Sequence, residues 1–138
     1  MKKIKILYVI DKLDLAGAQR HILQLLDRIN KDKFTPYLCC LLYGGELVND
    51  AKNLSIPILV LGIKRIYDFG GILGIFKLAG FIRKEGIDIV HTYLFSANIA
   101  GNLAAKLAGA PVIISGRRDT GIHREGKWRH RQAYKFAH

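Results

Sequence analysis

Lys5-Ile6-Leu7-Tyr8-Val9-Ile10-Asp11, followed after residues 12–15 by Ala16-Gly17-Ala18-Gln19-Arg20-His21-Ile22, decides how the rest of the chain is read. Residues 6–10 form an unbroken apolar run rich in β-formers, closed by an acidic residue. A strand wetted on one face alternates apolar and polar residues. A continuous run indicates burial on both faces, as in a parallel sheet. Behind Ala16-Gly17, apolar residues recur at Ala18, Ile22, Leu25, Leu26 and Ile29, the spacing of a helix with one buried face.

The same alternation continues to the end of the chain. Residues 34–42 read as a second strand, broken by Gly44-Gly45 and followed by a short helix carrying Leu47, Ala51 and Leu54. Residues 57–61 are the third strand. Asp68 is placed to cap the next helix, whose expected core stripe is Ile72, Ile75, Phe76, Ala79 and Ile82. Arg83 and Lys84 suit the negative end of its dipole, and Gly86 can end it. Residues 87–91 are the fourth strand, and Ser96 is the expected N-cap of a helix buried through Ile99, Ala100, Leu103, Ala104 and Leu107. Gly109 stops that helix, residues 111–114 form the fifth strand, and the chain reads as helical from Lys127 onward. Strands alternating with helices build right-handed βαβ units, so the expected architecture is α/β, a Rossmann-like doubly wound parallel sheet of order 3-2-1-4-5. The final helix meets no stop signal, and the 138 residues are expected to be one domain cut from a larger protein.

Composition agrees with a globular domain: 50% of the residues are apolar and 24% charged. The two cysteines, Cys39 and Cys40, are adjacent on a strand and so point to opposite faces, where a mutual disulfide would be strained. Both are expected buried and reduced, which places the protein in the cytoplasm. The apolar run after Met1-Lys2-Lys3 ends at Asp11 without a small-residue cleavage site, which argues against a signal peptide. Residues 70–82 are apolar but short and interrupted by Lys77, so no membrane span is expected. The net charge of +11 favours anionic partners such as phosphorylated substrates, nucleic acid or an acidic membrane surface.

Ligands of doubly wound sheets bind beyond the carboxyl ends of the strands, which selects residues 11–19, 91–98 and 115–120. Ala16-Gly17 lets backbone approach a ligand at a helix N-terminus, although the loop matches neither G-x-G-x-x-G nor the Walker A pattern. His91 could hydrogen-bond a substrate hydroxyl, or be a satisfied histidine beneath the sheet edge. Ser115-Gly116-Arg117-Arg118-Asp119 offers two guanidinium groups for phosphate or carboxylate, while Asp119 can equally pair with one of them. No nucleophile–base arrangement and no carboxylate cluster for a metal stands out.

Taken together these residues resemble the N-terminal domain of glycosyltransferase family 4, a retaining group with the GT-B fold. The resemblance rests on the strand and loop of residues 5–10 and 16–21, where the usual form is Gly-Gly-Ala-Glu. It rests equally on Ile87-Asp88-Ile89-Val90-His91-Thr92-Tyr93 and on Ala97-Asn98 through Gly109-Ala110-Pro111. The resemblance implies an acceptor-side domain facing a donor-binding C-terminal domain that these residues do not include. Ala16 and Gly17 would then border the donor diphosphate, and His91, Asn98, Arg117, Arg118 and Asp119 would line the acceptor cleft. Arg-Arg-Asp stands where many members carry a histidine that contacts the transferred sugar, so no catalytic residue is carried over. The substrates implied are a nucleotide-sugar and a glycan or lipid-linked acceptor, with no cofactor and no metal. A basic domain of this kind could sit peripherally on the inner face of the plasma membrane. The domain alone is expected to be inactive. The competing readings are a sugar-nucleotide epimerase of the same fold, a nucleic-acid-binding module, for which no recognised motif is present, and a stand-alone binding domain.

Overall fold

The computed structural model of the chain describes residues 2–63 and 68–116. The elements run β1 (Ile4–Ile10), α1 (Gly17–Arg28), β2 (Phe34–Cys40), α2 (Val48–Lys52), β3 (Ile58–Val60), α3 (Phe69–Glu85), β4 (Ile89–Tyr93), α4 (Phe95–Ala108) and β5 (Val112–Gly116). The five strands form one parallel sheet in the order β3-β2-β1-β4-β5, the expected order. The helix expected from Lys127 onward lies outside the described residues. No described helix is long and apolar enough to cross a membrane.

Strand pleating sends successive side chains to opposite faces, and each face has its own core. Leu7, Val9, Cys39 and Val90 pack with Leu78 and Ile82 of α3 and Ala100 and Ala104 of α4. Ile6, Tyr8, Ile10, Leu38 and Cys40 pack with Ile22 and Leu26 of α1 and Ala51 of α2. Cys39 and Cys40 are both buried free thiols, one in each layer.

Both long crossover helices of the first layer end as their glycines indicate. Gly86 and Gly109 adopt the left-handed conformation. Ile87 N–H then bonds back to the Ile82 carbonyl at 3.0 Å, and Ala110 N–H to the Ala105 carbonyl at 2.9 Å. These are Schellman closures, which satisfy carbonyls that the helix end would orphan. The closure uses up Ile87, so β4 begins two residues later than expected, at Ile89, and runs on to Tyr93.

The helix faces depart from expectation in α3 and α4. In α3, Gly71, Gly74, Leu78, Ala79 and Ile82 face the core, whereas Ile72 and Phe76 of the expected stripe are exposed. The physical reason is proximity: a Cβ on Gly74 would overlap the Ile63 side chain, so α3 approaches through its glycines and turns its large residues outward. In α4, Ala97, Ala100, Gly101, Ala104 and Ala105 are buried, and Leu103 and Leu107 of the expected stripe are exposed. A Cβ on Gly101 would overlap Thr92 of β4 in the same way.

Candidate functional site

The crossovers from β1 and from β4 leave toward opposite faces of the sheet, and at such a divergence a doubly wound sheet has its crevice at the carboxyl edge. Residues 11–16 and Leu94 border it. The β1–α1 loop is fixed from three directions. Leu42 N–H donates to the Asp11 carbonyl at 2.9 Å, and Leu47 N–H to the Leu13 carbonyl at 2.9 Å. Gln19 Nε2 donates to the Lys12 carbonyl at 3.0 Å. Gly45, at φ +113°, lies so close that a Cβ there would overlap the Leu13 backbone. The Lys12–Asp14 ion pair at 3.7 Å is exposed and contributes little.

The three long helices treat their N-termini differently. Asp68 caps α3 directly, its Oδ1 accepting from Gly71 N–H at 3.0 Å. The N-cap of α4 is Leu94, not Ser96, and it lacks a side-chain oxygen. Asp11, the residue after β1, supplies one: its Oδ1 accepts from Ala97 N–H at 2.7 Å. Leu94 is held at φ +74° and ψ 165°, a region that costs an ordinary residue about 1–3 kcal/mol. By contrast, α1 has no side-chain cap and no acidic residue in its first turn. The first N–H groups of a helix have no intrahelical partner, so this end presents positive partial charge. Gly17 opens it: among the described residues nothing stands within 4 Å of where its Cβ would be. Its φ is not in the left-handed region, so the glycine answers no backbone requirement. Beside it, the buried Gln19 Oε1 has no hydrogen-bond partner among the described residues.

His91 lies two residues before the carboxyl end of β4, not at it. Its partly buried ring stacks on Tyr93 at 4.5 Å and tilts against Tyr8 at 5.3 Å. The ring of His21, on α1, lies tilted 6.4 Å from that of Tyr93. Burial pushes the Tyr8 hydroxyl pKa up to about 12, with a smaller contribution from Tyr93.

Asn98 is fully buried and does not face an open cleft. Thr92 Oγ1 donates to Asn98 Oδ1 at 2.6 Å, and Asn98 Nδ2 donates to the Gly116 carbonyl at 3.2 Å. Asn102 Nδ2 donates to Ser115 Oγ at 2.6 Å. This network ties the carboxyl ends of β4 and β5 to α4. Arg117, Arg118 and Asp119 follow directly in sequence but lie outside the described residues. The structure thus brings Ala16, Gly17, Asp11 and Leu94 to one edge, sets His91 among aromatic rings and places Asn98 beneath the surface.

Sequence reasoning missed Asp11 as the cap of α4 and the Thr92–Asn98–Asn102–Ser115 network. A signal for the network was present: Asn98 and Asn102 stand four residues apart in an apolar helix, which puts two amides on one buried face. Nothing local announces the role of Asp11, because its partner is 86 residues away. Asp88, part of the run resembling the family, acts at the opposite edge, where its Oδ2 accepts from Lys5 N–H at 2.9 Å.

Known proteins share both sequence and fold. An Escherichia coli UDP-Gal:alpha-D-GlcNAc-diphosphoundecaprenol alpha-1,3-galactosyltransferase is 33% identical over 115 residues, covering 81% of this chain and 29% of the relative. A glycosyltransferase from Rickettsia africae superposes with a TM-score of 0.68 at 26% identity, covering 83% of this chain and 30% of that one. Anabaena HepE, solved with UDP and glucose, superposes with a TM-score of 0.73 at 18% identity, covering 97% and 35%. The chain therefore spans about a third of the length of these relatives, and its sheet matches one Rossmann-like half of a GT-B fold. The family model for Glycosyltransferase Family 4 matches residues 15–137, and the chain belongs to that family.

Proposed function

We propose that the chain is the acceptor-side half of a retaining glycosyltransferase that moves a sugar from a nucleotide-sugar to a glycan or lipid-linked acceptor. The observation carrying this reading is the contrast between helix N-termini at one edge of the sheet. Asp68 and Asp11 occupy the ends of α3 and α4, whereas α1 is left uncapped with open space at Gly17. A diphosphate leaving group gains from such an end, because N–H groups and helix dipole stabilise the charge that develops on it. A side chain at Gly17 would hold the diphosphate away, which accounts for a glycine that the backbone itself does not need.

The other residues act in support. Gln19 and the Gly45 contact hold Ala16 and Gly17 in place. Asn98 holds the β5 end from below, through the Gly116 carbonyl. His91, its partly buried ring held by stacking on the buried Tyr93, is the acceptor-side residue of β4. The second Rossmann-like domain, with the rest of the donor site, lies outside these 138 residues, which alone are expected not to transfer sugar. The Escherichia coli relative acts on an undecaprenol-linked sugar, and a lipid-linked acceptor is the reading that likeness favours.

The test is transfer from UDP-galactose to a polyprenyl-diphosphate-linked N-acetylglucosamine by the protein as its gene encodes it. Gly17→Val should lower kcat/KM about 10²-fold, the order expected when reacting groups are displaced by an ångström, with the unfolding midpoint unchanged. Full transfer by Gly17→Val would remove the diphosphate role of this loop.

A further inference from the structure

We propose that Tyr43 is a platform on which a sugar ring of the acceptor stacks, in a subsite just outside the crevice. The loop after β2 carries it at the carboxyl edge of the sheet, where the residue is 72% exposed. Exposed side chains ordinarily hop between rotamers, but this one is seated. Gly62, in the loop after β3, holds the left-handed conformation at φ +68°, and a Cβ there would overlap the ring along Cε2, Cζ and the hydroxyl oxygen. The ring therefore rests against bare backbone and offers the rest of its surface to solvent.

The seat is strapped to the β1–α1 loop. Leu42, directly before the tyrosine, donates its N–H to the Asp11 carbonyl, and Ile63, directly after Gly62, donates to the Leu41 carbonyl at 2.7 Å. On the other side of the tyrosine, the Lys12 stem passes 3.8 Å from where a Cβ on Gly44 would be. The exposed Lys12–Asp14 pair, at 3.7 Å, is weak, so both groups can exchange each other for sugar hydroxyls. A seated ring beside such groups suits a pyranose. The C–H groups of the sugar carry partial positive charge and meet the negative face of the ring, while its hydroxyls take hydrogen bonds at the rim. An apolar tail gains from the ring but not from Lys12 and Asp14. β2 neighbours β1 on the side away from β4, so the loop carrying Tyr43 leaves the sheet one strand spacing, about 4.8 Å, beyond the crevice. The inference rests on the transferase reading, which gives the donor diphosphate to the open end of α1 and the rest of the donor to the second domain. The acceptor is then the substrate left for this ring.

The experiment uses the protein as its gene encodes it, with a short-chain polyprenyl-diphosphate-linked N-acetylglucosamine and, separately, the same polyprenyl diphosphate without the sugar. Saturation-transfer NMR reads which ligand protons touch the protein, and transfer from UDP-galactose gives KM for each substrate. The pyranose protons should receive saturation in the unaltered protein. Tyr43→Ala should weaken acceptor binding and raise the acceptor KM about tenfold, the order of one aromatic contact, with the UDP-galactose KM and the unfolding midpoint unchanged. Tyr43→Phe, which keeps the ring, should stay within about twofold of the unaltered protein. An unchanged acceptor KM in Tyr43→Ala, a raised UDP-galactose KM in its place, no recovery in Tyr43→Phe, or no acceptor binding by the unaltered protein would each overturn the platform. So would sugar-free polyprenyl diphosphate that binds equally well and depends equally on Tyr43, because the ring would then meet the isoprenoid. A lowered unfolding midpoint in Tyr43→Ala would also overturn it, since the ring would then serve to cover Gly62. The two readings separate cleanly. Sugar binding that depends on Tyr43 without any transfer leaves the platform standing and removes the transferase reading. Transfer whose acceptor KM ignores Tyr43 does the reverse.

Discussion

Asp11 shows how one carboxylate can join two halves of a sheet. It directly follows β1 yet caps α4, beside Leu94 in a conformation that ordinary residues avoid. The strained residue and its remote cap stand together at the crevice, where strain is most often tolerated because neighbouring structure over-determines it. Removing an N-cap oxygen costs about 1 kcal/mol, within a range of 0.5–2. Asp11→Ala should therefore lower the urea unfolding free energy by about that amount, while Asp11→Asn, which keeps an acceptor oxygen, should restore most of it. Equal losses in the two variants would show that Asp11 acts through its charge and not through the bond to Ala97. This residue also marks where sequence reading stops. Ser96 is a good capping residue in the right neighbourhood, and local preference selects it. The fold instead starts the helix at Phe95, directly behind Leu94, and draws the cap from Asp11, far away in sequence. Asp68, whose partner is three residues off, was legible for the opposite reason.

At the level of elements, periodicity located every described helix and strand but misjudged which side of α3 and α4 is buried. Hydrophobic spacing assumes that large apolar residues seek the core. In both helices glycine and alanine line the inner face instead, because the helix comes close enough to touch the sheet or a neighbouring segment. The distinction can be measured with one kind of substitution. A Cβ on Gly80 meets none of the described residues within 4 Å, so Gly80→Ala removes only the conformational freedom of an exposed helical glycine and should stabilise the protein by about 0.5–1 kcal/mol. A Cβ on Gly101 overlaps the buried Thr92 side chain, whose hydroxyl anchors the Asn98 network, so Gly101→Ala should destabilise by about 1–3 kcal/mol despite the same gain in helix propensity. Opposite signs in urea titration are the expected result. Stabilisation by both changes would mean that α4 can shift off β4 freely. The Schellman ends at Gly86 and Gly109, by contrast, were readable residue by residue, since only the backbone conformation of one glycine is at issue.

For the whole molecule, strand order was legible because a short parallel sheet with intervening helices has few right-handed solutions. The crevice was legible as a location, since the same topology fixes it, but not as a set of contacts. His91 and Asn98 were selected by proximity to strand ends, and a two-residue shift of β4 with one buried amide network separates proximity from exposure. The double-layered core has a further consequence for stability. Cys39 and Cys40 sit on opposite faces of β2 in the two layers, and burial pushes both thiols up, Cys40 to about 12 and Cys39 beyond it with a smaller push from Cys40. Tyr8 is likewise raised to about 12 by burial and then by Tyr93. In the unfolded chain these groups lose their protons near their ordinary values of 9.0 for cysteine and 10.0 for tyrosine. Between those values and about 12 the unfolded state therefore holds fewer protons than the folded one, and stability must fall as pH rises. Below about pH 9 the three groups are protonated in both states and contribute no slope. Urea titrations across this window should show a decline that begins with the thiols, and Cys39→Ala with Cys40→Ala should make it shallower in its lower half while leaving the tyrosine part. An unchanged slope in the double variant would mean that the thiols ionise within the fold, and that the two layers admit water on either side of β2.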